Sequence, residues 1–397
     1  MPPLHRHQSS LEGLIDFSSS PSEGLKATQR AGARRRFYRI VNHFLPASEI
    51  DDDDNDDDND GPTSSVRSKT YSPPRLISLT YKYALSDTAR DNFLRAFFQS
   101  IDLPVVRESD TDDGDGDPET FRSTVFDFAE YLMEHFFTPL KASSKKTPQP
   151  SPVFRSAIDR VQAGHSFVGT PERLSALRGA CLVRDHHRCV ISHRFDRAEA
   201  QARMEKDGET SALDDDGNLL YRDKPSAPLE VAHIIPHSLM TVDANSELSP
   251  SKQAALAILN MFDTGVVHEI EGSNIDRPRN ALTLTQDNHL AFGNFEIFFE
   301  HVADYTYRID TLKSRYIFPD FPLARTLYLS ENRTIDPPSL RLLAIHRAIA
   351  HILHLSAAAE YIDRLLRDME EQGVCAADGS TEIGRLLKLR LRGFVST

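Results

Sequence analysis

Apolar residues recur at two different spacings along the 397-residue chain. A spacing of three and four residues, which is typical of amphipathic helices, marks residues 94–101 and 125–136 and two stripes after Pro338. Short apolar or alternating runs, which are typical of strands, occur at residues 229–235 and 282–285. The pattern predicts an α+β fold in which helical segments flank a small core that contains strands.

Local signals mark further elements in this core. Ser249 followed by Pro250 predicts a helix start, because a hydroxyl caps a helix and proline suits its first turn. Thr285 is likewise positioned to cap a short helix after the second strand. The remaining predicted elements are helices at 172–186 and 250–261, strands at 188–192 and 295–299, and an inserted polar loop at 199–228 with a turn at 214–218.

These patterns divide the chain into five segments. The first is predicted to be disordered, since Ser, Pro and charged residues dominate it, and it contains a basic patch at residues 34–39. The segments are residues 1–69 (disordered), 70–145 (helical), 146–171 (linker), 172–310 (the domain of helices and strands) and 311–397 (helical).

The net charge of −13 comes from two acidic runs. Residues 51–60 and 110–117 hold 13 of the 59 acidic residues, which leaves 46 against 46 Lys and Arg in the rest of the chain. The like charges within such a run repel one another, so both runs are predicted to remain unfolded. The acidic balance therefore does not exclude nucleic acid as a partner.

Cysteine usage and hydropathy bear on the compartment. Cys181, Cys189 and Cys375 form no C-x-x-C pair, which argues against a disulfide framework and against a thiolate zinc site. No apolar run approaches the roughly 20 residues of a membrane-spanning helix, and the N-terminus has no signal-peptide core. We expect a soluble intracellular protein without a membrane partner, in either the nucleus or the cytoplasm.

Three polar residues suit the hydrolysis of a phosphodiester bond. His233 lies in an apolar strand, Asn280 precedes the second strand, and His289 lies on the helix that follows. Hydrolysis needs a base that activates water and an electrophile for the charge that develops on the phosphate. A neutral imidazole suits the first task and a divalent ion the second. We expect His233 to be the base, Asn280 to orient it or its loop, and His289 to bind the ion.

Taken singly, these residues also suit structural roles, but their order matches one ββα unit. The matching motifs are Arg188-Cys189-Val190-Ile191-Ser192, Glu230-Val231-Ala232-His233-Ile234-Ile235-Pro236, Arg277-Pro278-Arg279-Asn280-Ala281-Leu282-Thr283-Leu284 and His289-Leu290-Ala291-Phe292-Gly293. With these motifs the chain resembles the HNH, or ββα-metal, endonucleases of the Ala-His-Ile-x-Pro branch. Residues 172–371 also resemble fungal HNH nuclease domain-containing proteins. The resemblance implies a ββα-metal core, with the same three roles for the three polar residues.

Two positions depart from the family pattern. Ala232 stands where many HNH nucleases have a metal-binding Asp or His, and Gly293 stands where some have a second ligand on the helix. Glu230 shares a strand face with position 232 and is a candidate replacement, and Asp263 is another. The expected cofactor is one divalent ion, with Mg²⁺, Mn²⁺, Ni²⁺ and Zn²⁺ as the candidates.

Several arginines flank the motifs and are candidates for phosphate contact, because phosphate neutralisation dominates nucleic-acid affinity. They are Arg184, Arg188, Arg194, Arg277 and Arg279. No base-reading helix or zinc finger is apparent in the sequence. We expect DNA in preference to RNA as the partner, without sequence specificity, and the C-terminal helices are candidates for self-association.

These observations predict a metal-dependent HNH endonuclease. The residues at positions 232 and 293 leave an alternative open, in which a catalytically degenerate HNH fold binds nucleic acid or protein. In a third interpretation, the chain is a helical interaction protein and the motif match is accidental. The third interpretation predicts that His233, Asn280 and His289 lie far apart.

Overall fold

The computed structural model describes residues 24–47, 71–107, 115–144, 170–240, 250–330 and 333–371. Several sequence predictions fall outside these residues. They are the aspartate run at 51–60, most of the linker at 146–171, the cap at Ser249 and the tail that carries Cys375.

Helices make up most of the described elements. In chain order they are α1 (Ala27–Asn42), α2 (Pro73–Lys82), α3 (Asp87–Ser100), α4 (Arg122–Leu132), α5 (Thr138–Ser144), α6 (Thr170–Arg184), α7 (Arg197–Asp207), α8 (Pro250–Leu259), α9 (Val267–Ile270), α10 (Gln286–Gly293), α11 (Leu340–Leu355) and α12 (Ala358–Glu371). A π-helical turn, Met133–Phe137, joins α4 to α5.

The described strands form two antiparallel sheets. In one sheet, β1 (Leu229–His233) pairs with β2 (Ala281–Thr285). The other has the order β3-β4-β5, with β3 at Ile297–Ala303, β4 at Thr306–Thr311 and β5 at Leu323–Thr326. Thr285 occupies the N-cap position of α10, although its side chain makes no capping hydrogen bond. The mixture of helices and small antiparallel sheets confirms the predicted α+β class.

The chain forms two compact units. The helical unit consists of Met1–Leu140, Val242–Val267 and His351–Thr397, and the strand unit consists of Lys141–Thr241 and His268–Ala350. The chain therefore leaves the strand unit and returns to it, whereas the sequence patterns assigned all of residues 172–310 to one domain.

Aromatic side chains form the centre of the helical unit. The ring of Phe37 on α1 packs edge-to-face on Phe97 of α3, with the ring centroids 4.9 Å apart. Phe93 lies 5.8 Å from Phe37 and 5.8 Å from Phe128 on α4. All four rings are fully buried. Edge-to-face pairs of this kind add roughly 0.5–1.5 kcal/mol each to the stabilisation that comes from burying apolar area.

Helix α1 departs from the prediction that residues 1–69 are disordered. Phe37, Ile40 and Val41 recur at helical spacing and are fully buried. Charged residues dominate the sequence around them, so the apolar face of the helix was not recognised from composition. Once the face is buried against the other helices, it stabilises α1 despite its polar surroundings.

An ion pair links the basic patch at 34–39 to the second acidic run. Arg36 donates two hydrogen bonds to Asp115, from Nε to Oδ2 at 2.6 Å and from Nη2 to Oδ1 at 2.8 Å. Both side chains are buried. At these two positions, charges that we expected to be solvated instead hold the helical unit together.

The β1–β2 pair and α6 share the core of the strand unit. The buried apolar cluster between them consists of Leu177, Cys181, Val231 and Ala281. Side chains alternate along a strand, so Glu230 and Ala232 lie on the opposite face from Val231. The buried cluster fixes β1, and with it the end of the strand where His233 lies.

Two predictions for the strand unit require correction. Residues 188–192, predicted as a strand, form a tight turn in which the N–H of His193 donates to the carbonyl of Cys189 at 2.9 Å. His193 has a φ of 58°, which an extended strand does not allow. Part of the 311–397 segment, predicted to be helical, instead forms strand β5. No fully buried side chain marks β5, so its sequence pattern was weak.

The polar segment at 199–228, predicted as an inserted loop, contains most of helix α7 and the predicted turn at 214–218. Asp214 organises this turn, because its Oδ1 accepts hydrogen bonds from the N–H groups of Asp216 and Asn218 at 3.0 and 2.7 Å. The turn residues are held by local hydrogen bonds of the kind that aspartate commonly supplies.

In the described part of the chain, no single helix is long and apolar enough to cross a membrane. Helix α11 and residues Ala358–Asp368 of α12 satisfy length and composition only as a pair, which is bent by 82°.

Candidate active site

His233 and Asn280 lie at one end of the β1–β2 pair, and His289 contacts Glu230 further back along β1. His233 is the last residue of β1 and lies opposite Ala281, the first residue of β2. Asn280 immediately precedes β2, within a 3₁₀ turn. Helix α10 begins directly after β2 and carries His289. The strand, strand and helix suggested by the motif order therefore form a ββα unit.

Asn280 is fully buried and fixes the loop that leaves β1. Its Oδ1 accepts a hydrogen bond from the N–H of Ile235, and its Nδ2 donates to the carbonyls of Ile235 and Ile275, each at 2.9 Å. The N–H of Ile234 donates to the Asn280 carbonyl at 2.9 Å. A carboxamide can hydrogen-bond to both the N–H and the carbonyl of one residue because it offers both an acceptor and donors. Asn280 thus positions the backbone next to His233.

The carboxylate of Asp276 contacts three polar side chains of the site. Its Oδ1 lies 3.2 Å from Nε2 of His233 and 2.7 Å from Nδ1 of His237. Arg173, on α6, donates from Nε to Oδ2 at 3.2 Å. The Asp276 side chain is 1% exposed, so these partners replace the water that would otherwise solvate the carboxylate.

The charge state of this cluster follows from its burial. Burial lowers the pKa of His233, and the hydrogen bond to Asp276 opposes this shift only in part, so the imidazole is neutral at neutral pH. Burial alone would raise the pKa of Asp276, but the hydrogen bonds from His233 and His237 hold that pKa well below its usual range. Asp276 is therefore an anion at neutral pH.

The two ring nitrogens of His233 differ. Because Nε2 faces the carboxylate of Asp276, we assign the proton of the neutral ring to Nε2 from the hydrogen-bond pattern. Nδ1 is buried and, among the described residues, has no hydrogen-bond partner. A neutral imidazole with this tautomer carries its free lone pair on Nδ1.

His289 and Glu230 form a second polar pair. Nδ1 of His289 lies 2.6 Å from Oε2 of Glu230, which joins α10 to β1. Glu230 is two residues from Ala232 and shares its strand face. The structure thus brings together two of the residues that we expected to bind metal.

Two groups of donors in this region suit a divalent ion. Imidazole nitrogen and carboxylate oxygen are common ligands for Zn²⁺, Mn²⁺ and Ni²⁺ in proteins. The His289–Glu230 pair supplies one of each. His233, His237 and Asp276 could also hold an ion, since one potential ligand atom from each lies within 4.8 Å of the others. The donor chemistry therefore fits a metal.

Asp263, the other carboxylate that we considered as a ligand, belongs to the helical unit. His289 and Glu230 belong to the strand unit. Asp263 is not a member of the donor group formed by His233, His237 and Asp276.

Arg184, one of the arginines near the motifs, is fully buried. It donates to both oxygens of Asp185 at 2.8 Å and to the carbonyl of Ala281 at 3.0 Å. A fully buried guanidinium held by a carboxylate stabilises the start of β2 and does not present its charge to solvent. Its environment is that of a structural residue.

The other arginines near the motifs differ in exposure. Arg188 is held by Asp214 and Asp223, each at 2.6 Å. Arg194 donates to a backbone carbonyl at 2.9 Å. Arg277 is exposed, and Arg279 is partly exposed. Of these arginines, Arg277 and Arg279 have side chains that reach solvent, and Arg279 pairs with Asp336 at 3.0 Å.

Asp276 and its contacts His233, His237 and Arg173 form the Asp276 cluster. Of these, sequence patterns singled out only His233. His237 directly follows Ile234-Ile235-Pro236, and Asp276 directly precedes Arg277, so adjacency to the motifs was the available signal. Arg173 lies far away along the chain, and nothing in the sequence linked it to the site. The carboxylate on which these groups converge becomes visible only in three dimensions.

A family model described as HNH endonuclease matches residues 189–300. Residues 189–300 are an HNH endonuclease domain. The match includes His233, Asn280 and His289, and it confirms the resemblance to HNH endonucleases inferred from the motifs. Neither a curated protein nor a solved structure matches the chain.

The HNH domain indicates a nuclease-type function, with nucleic acid as the partner and a divalent ion as the cofactor. The matched region begins after α6 and ends within β3. Arg173 and the connection between β4 and β5 therefore lie outside the HNH match and are features of the rest of this chain.

Proposed function

We propose that this chain is a metal-dependent endonuclease that hydrolyses phosphodiester bonds, with DNA as the preferred substrate. His233 acts as the general base, and Asp276 orients its ring. His289 and Glu230 hold the divalent ion. Asn280 fixes the loop beside the base.

The environment of His233 carries this proposal. Burial keeps the ring neutral, a carboxylate faces Nε2, and Nδ1 has no hydrogen-bond partner among the described residues. Such a ring can accept a proton at Nδ1 from a water molecule whose oxygen attacks phosphorus. As the new P–O bond forms, the bond from phosphorus to the leaving oxygen breaks. Asp276 then stabilises the imidazolium through the hydrogen bond that it already accepts.

The metal assignment follows from the His289–Glu230 pair. A divalent ion held there would neutralise the charge that develops on the phosphate oxygens. Helix α10 and strand β1 each supply one donor to this pair. The longer side chain of Glu230 offers the carboxylate that Ala232 lacks. We favour this pair for the ion because it leaves His233 free to act as a base.

The nuclease activity is tested by nicking of supercoiled plasmid by the full-length protein. We expect nicking with Mg²⁺, Mn²⁺, Ni²⁺ or Zn²⁺, no nicking in EDTA, and a fall of about 10²-fold or more in His233→Ala. Asp216→Asn removes a partly exposed carboxylate of the same unit and should nick like the wild type. Absence of nicking with every ion, or unchanged nicking by His233→Ala, would contradict the proposal.

The metal ligands are tested by direct titration of the full-length protein with Mn²⁺. Glu230→Gln and His289→Ala should each weaken binding by about tenfold or more, whereas His237→Asn should leave it unchanged. The opposite pattern would assign the ion to the group formed by His233, His237 and Asp276.

The preference for DNA is tested with DNA and RNA duplexes of the same base sequence. We expect faster cleavage of the DNA. Arg277→Ala and Arg279→Ala should weaken binding equally across unrelated sequences and reduce its salt dependence, because phosphate contacts carry no base information. Faster cleavage of RNA would overturn the substrate assignment and leave the metal and base assignments intact.

A further inference from the structure

The loop between β4 and β5 carries exposed apolar side chains at its tip. Tyr316 is 95% exposed and Ile317 is 62% exposed. Arg315 beside them is also exposed, and within the described part of the chain it has no hydrogen bond or ion pair. Tyr316 and Ile317 are neighbours and together form one exposed apolar patch, and such patches mark candidate interaction surfaces. We call Arg315, Tyr316 and Ile317 the loop tip.

Local hydrogen bonds hold the loop tip in a defined turn. The carbonyl of Ser314 accepts hydrogen bonds from the N–H groups of Ile317 and Phe318 at 2.9 and 3.2 Å. Ser314 Oγ accepts from the N–H of Tyr316 at 3.2 Å. The ring of Phe318 packs on that of Phe321, which is buried. The exposed side chains are therefore presented by an anchored turn.

The sheet register places this loop at the end of the sheet that α10 approaches. Thr311, the last residue of β4, pairs with Ile297, the first residue of β3. Its Oγ1 donates to the carbonyl of Glu296 at 2.6 Å. Because α10 ends at Gly293, a short connection leads from the helix that carries His289 to this end of the sheet. The loop leaves the sheet at that same end.

We propose that the loop tip binds the nucleic-acid substrate, with Arg315 on a phosphate and Tyr316 stacked on an unpaired base. This inference rests on the proposed nuclease function. A base presents an apolar face to a tyrosine ring while the neighbouring phosphate attracts a guanidinium, so the tip matches one nucleotide in both respects. Ile317 extends the apolar contact. The tip thereby extends the substrate surface beyond the HNH match.

Binding of short fluorescent oligonucleotides to the full-length protein tests this inference. Fluorescence anisotropy is measured in EDTA, which prevents cleavage, with a single strand and with a duplex. Tyr316→Ala should weaken binding of the single strand by about fivefold or more and binding of the duplex by less, whereas Tyr316→Phe should keep the affinity. Arg315→Ala should weaken binding to both and lower the salt slope by about 0.7 for the single strand.

Matched controls lie elsewhere on the protein surface. Val302 has the same exposed fraction as Ile317, so Val302→Ala controls for the loss of exposed apolar area. Arg367 is exposed in the helical unit, and Arg367→Ala controls for the loss of one positive charge. Neither substitution should change affinity. Circular dichroism of each variant shows whether the fold is retained.

The outcomes separate this inference from the nuclease proposal. Loop variants that bind like the controls overturn the inference, even if plasmid nicking depends on His233. Loop-dependent binding in a protein that nicks with none of the ions supports the inference and contradicts the nuclease activity. Loop-dependent binding to anionic lipid vesicles without binding to either oligonucleotide would also overturn it.

Discussion

Two clusters of histidine and carboxylate in the strand unit differ in how their charges meet. At the HNH site, two imidazoles face the same oxygen of Asp276. At the turn formed by residues 214–218, two histidines from elsewhere in the chain each pair with a different carboxylate. His186 lies 2.8 Å from Asp216, and His187 lies 2.8 Å from Asp215.

The surroundings of the carboxylates explain why the two arrangements serve different purposes. Asp215 and Asp216 are 27% and 38% exposed, so water also solvates them, and such pairs contribute about 1 kcal/mol or less to stability. Asp276 is buried, and no water can replace a lost partner there. The conspicuous acidic turn therefore holds a loop, whereas the isolated Asp276 orders the HNH site.

Among the substitutions that distinguish the two clusters, Asp276→Asn should reduce the rate of catalysis most. The carboxamide keeps the shape of the side chain but removes the negative charge that stabilises a protonated His233. We expect the single-turnover rate of plasmid nicking to fall by about 10²–10⁴-fold at saturating metal. Asp215→Asn should nick at the wild-type rate, and equal losses in both variants would remove the distinction between the clusters.

Asn280→Ala should cause the largest loss of stability. The substitution leaves the buried N–H of Ile235 and two carbonyls without their partner, and each unsatisfied buried group costs about 1–3 kcal/mol. Urea denaturation should show a loss of roughly 3 kcal/mol or more. Asn274→Ala, at an exposed hydrogen bond, is the control and should change stability by about 0.5 kcal/mol or less. A loss below that of the control would contradict the assigned role of Asn280.

His346 is a buried histidine that pairs with a backbone carbonyl, which extends the comparison to pH. The ring of His346 stacks on Phe292 with the centroids 3.8 Å apart, and Nε2 donates to the Phe292 carbonyl at 3.1 Å. Burial lowers its pKa from the usual 6.5 to about 3. The folded state therefore favours the neutral ring, so the stabilisation is complete above pH 6.5 and is lost as the pH falls towards 3.

The variant His346→Phe isolates this contribution. It retains an aromatic ring but cannot titrate, so its stability should fall less than that of the wild type on acidification. Between pH 7 and pH 5, we expect the wild type to lose about 2 kcal/mol more than the variant in urea denaturation. Parallel losses in the two proteins would show that His346 does not titrate between the folded and unfolded states as described.

Of the substitutions considered, Asp216→Asn should reduce stability least. Its partner His186 remains partly solvated, so we expect a loss of about 1 kcal/mol or less, and less still at high salt. Thermal unfolding at two salt concentrations measures this loss. A loss as large as that of Asn280→Ala would mean that the acidic turn is as tightly constrained as the HNH site.

The elements that the sequence predicted are those with a strong local pattern. Alternating and apolar runs marked β1 and β2, and motif order placed His233, Asn280 and His289 on one ββα unit. Helix α1 was missed because the high charge of its sequence outweighed its buried apolar residues, and β5 was missed because its side chains are partly buried or exposed. Local pattern is informative only where one face of an element is clearly apolar.

The site was predicted in part for a related reason. The Glu230–His289 pair could be anticipated, because strand alternation puts Glu230 on the face of the missing ligand. The function of Asp276 depends on α6, on the loop after β1 and on the turn before β2 at once. No spacing within a single element encodes that meeting point, and its buried environment exists only in the folded chain.

The Mn²⁺ dependence of single-turnover plasmid nicking by His233→Ala distinguishes a general base at position 233 from a metal ligand. If His233 is the base and the ion is held by His289 and Glu230, the maximal rate falls by about 10²-fold or more. The half-saturating Mn²⁺ concentration then stays at the wild-type value. Recovery of the wild-type rate at high Mn²⁺ would contradict the assignment of His233 as the base, because it would make His233 a metal ligand.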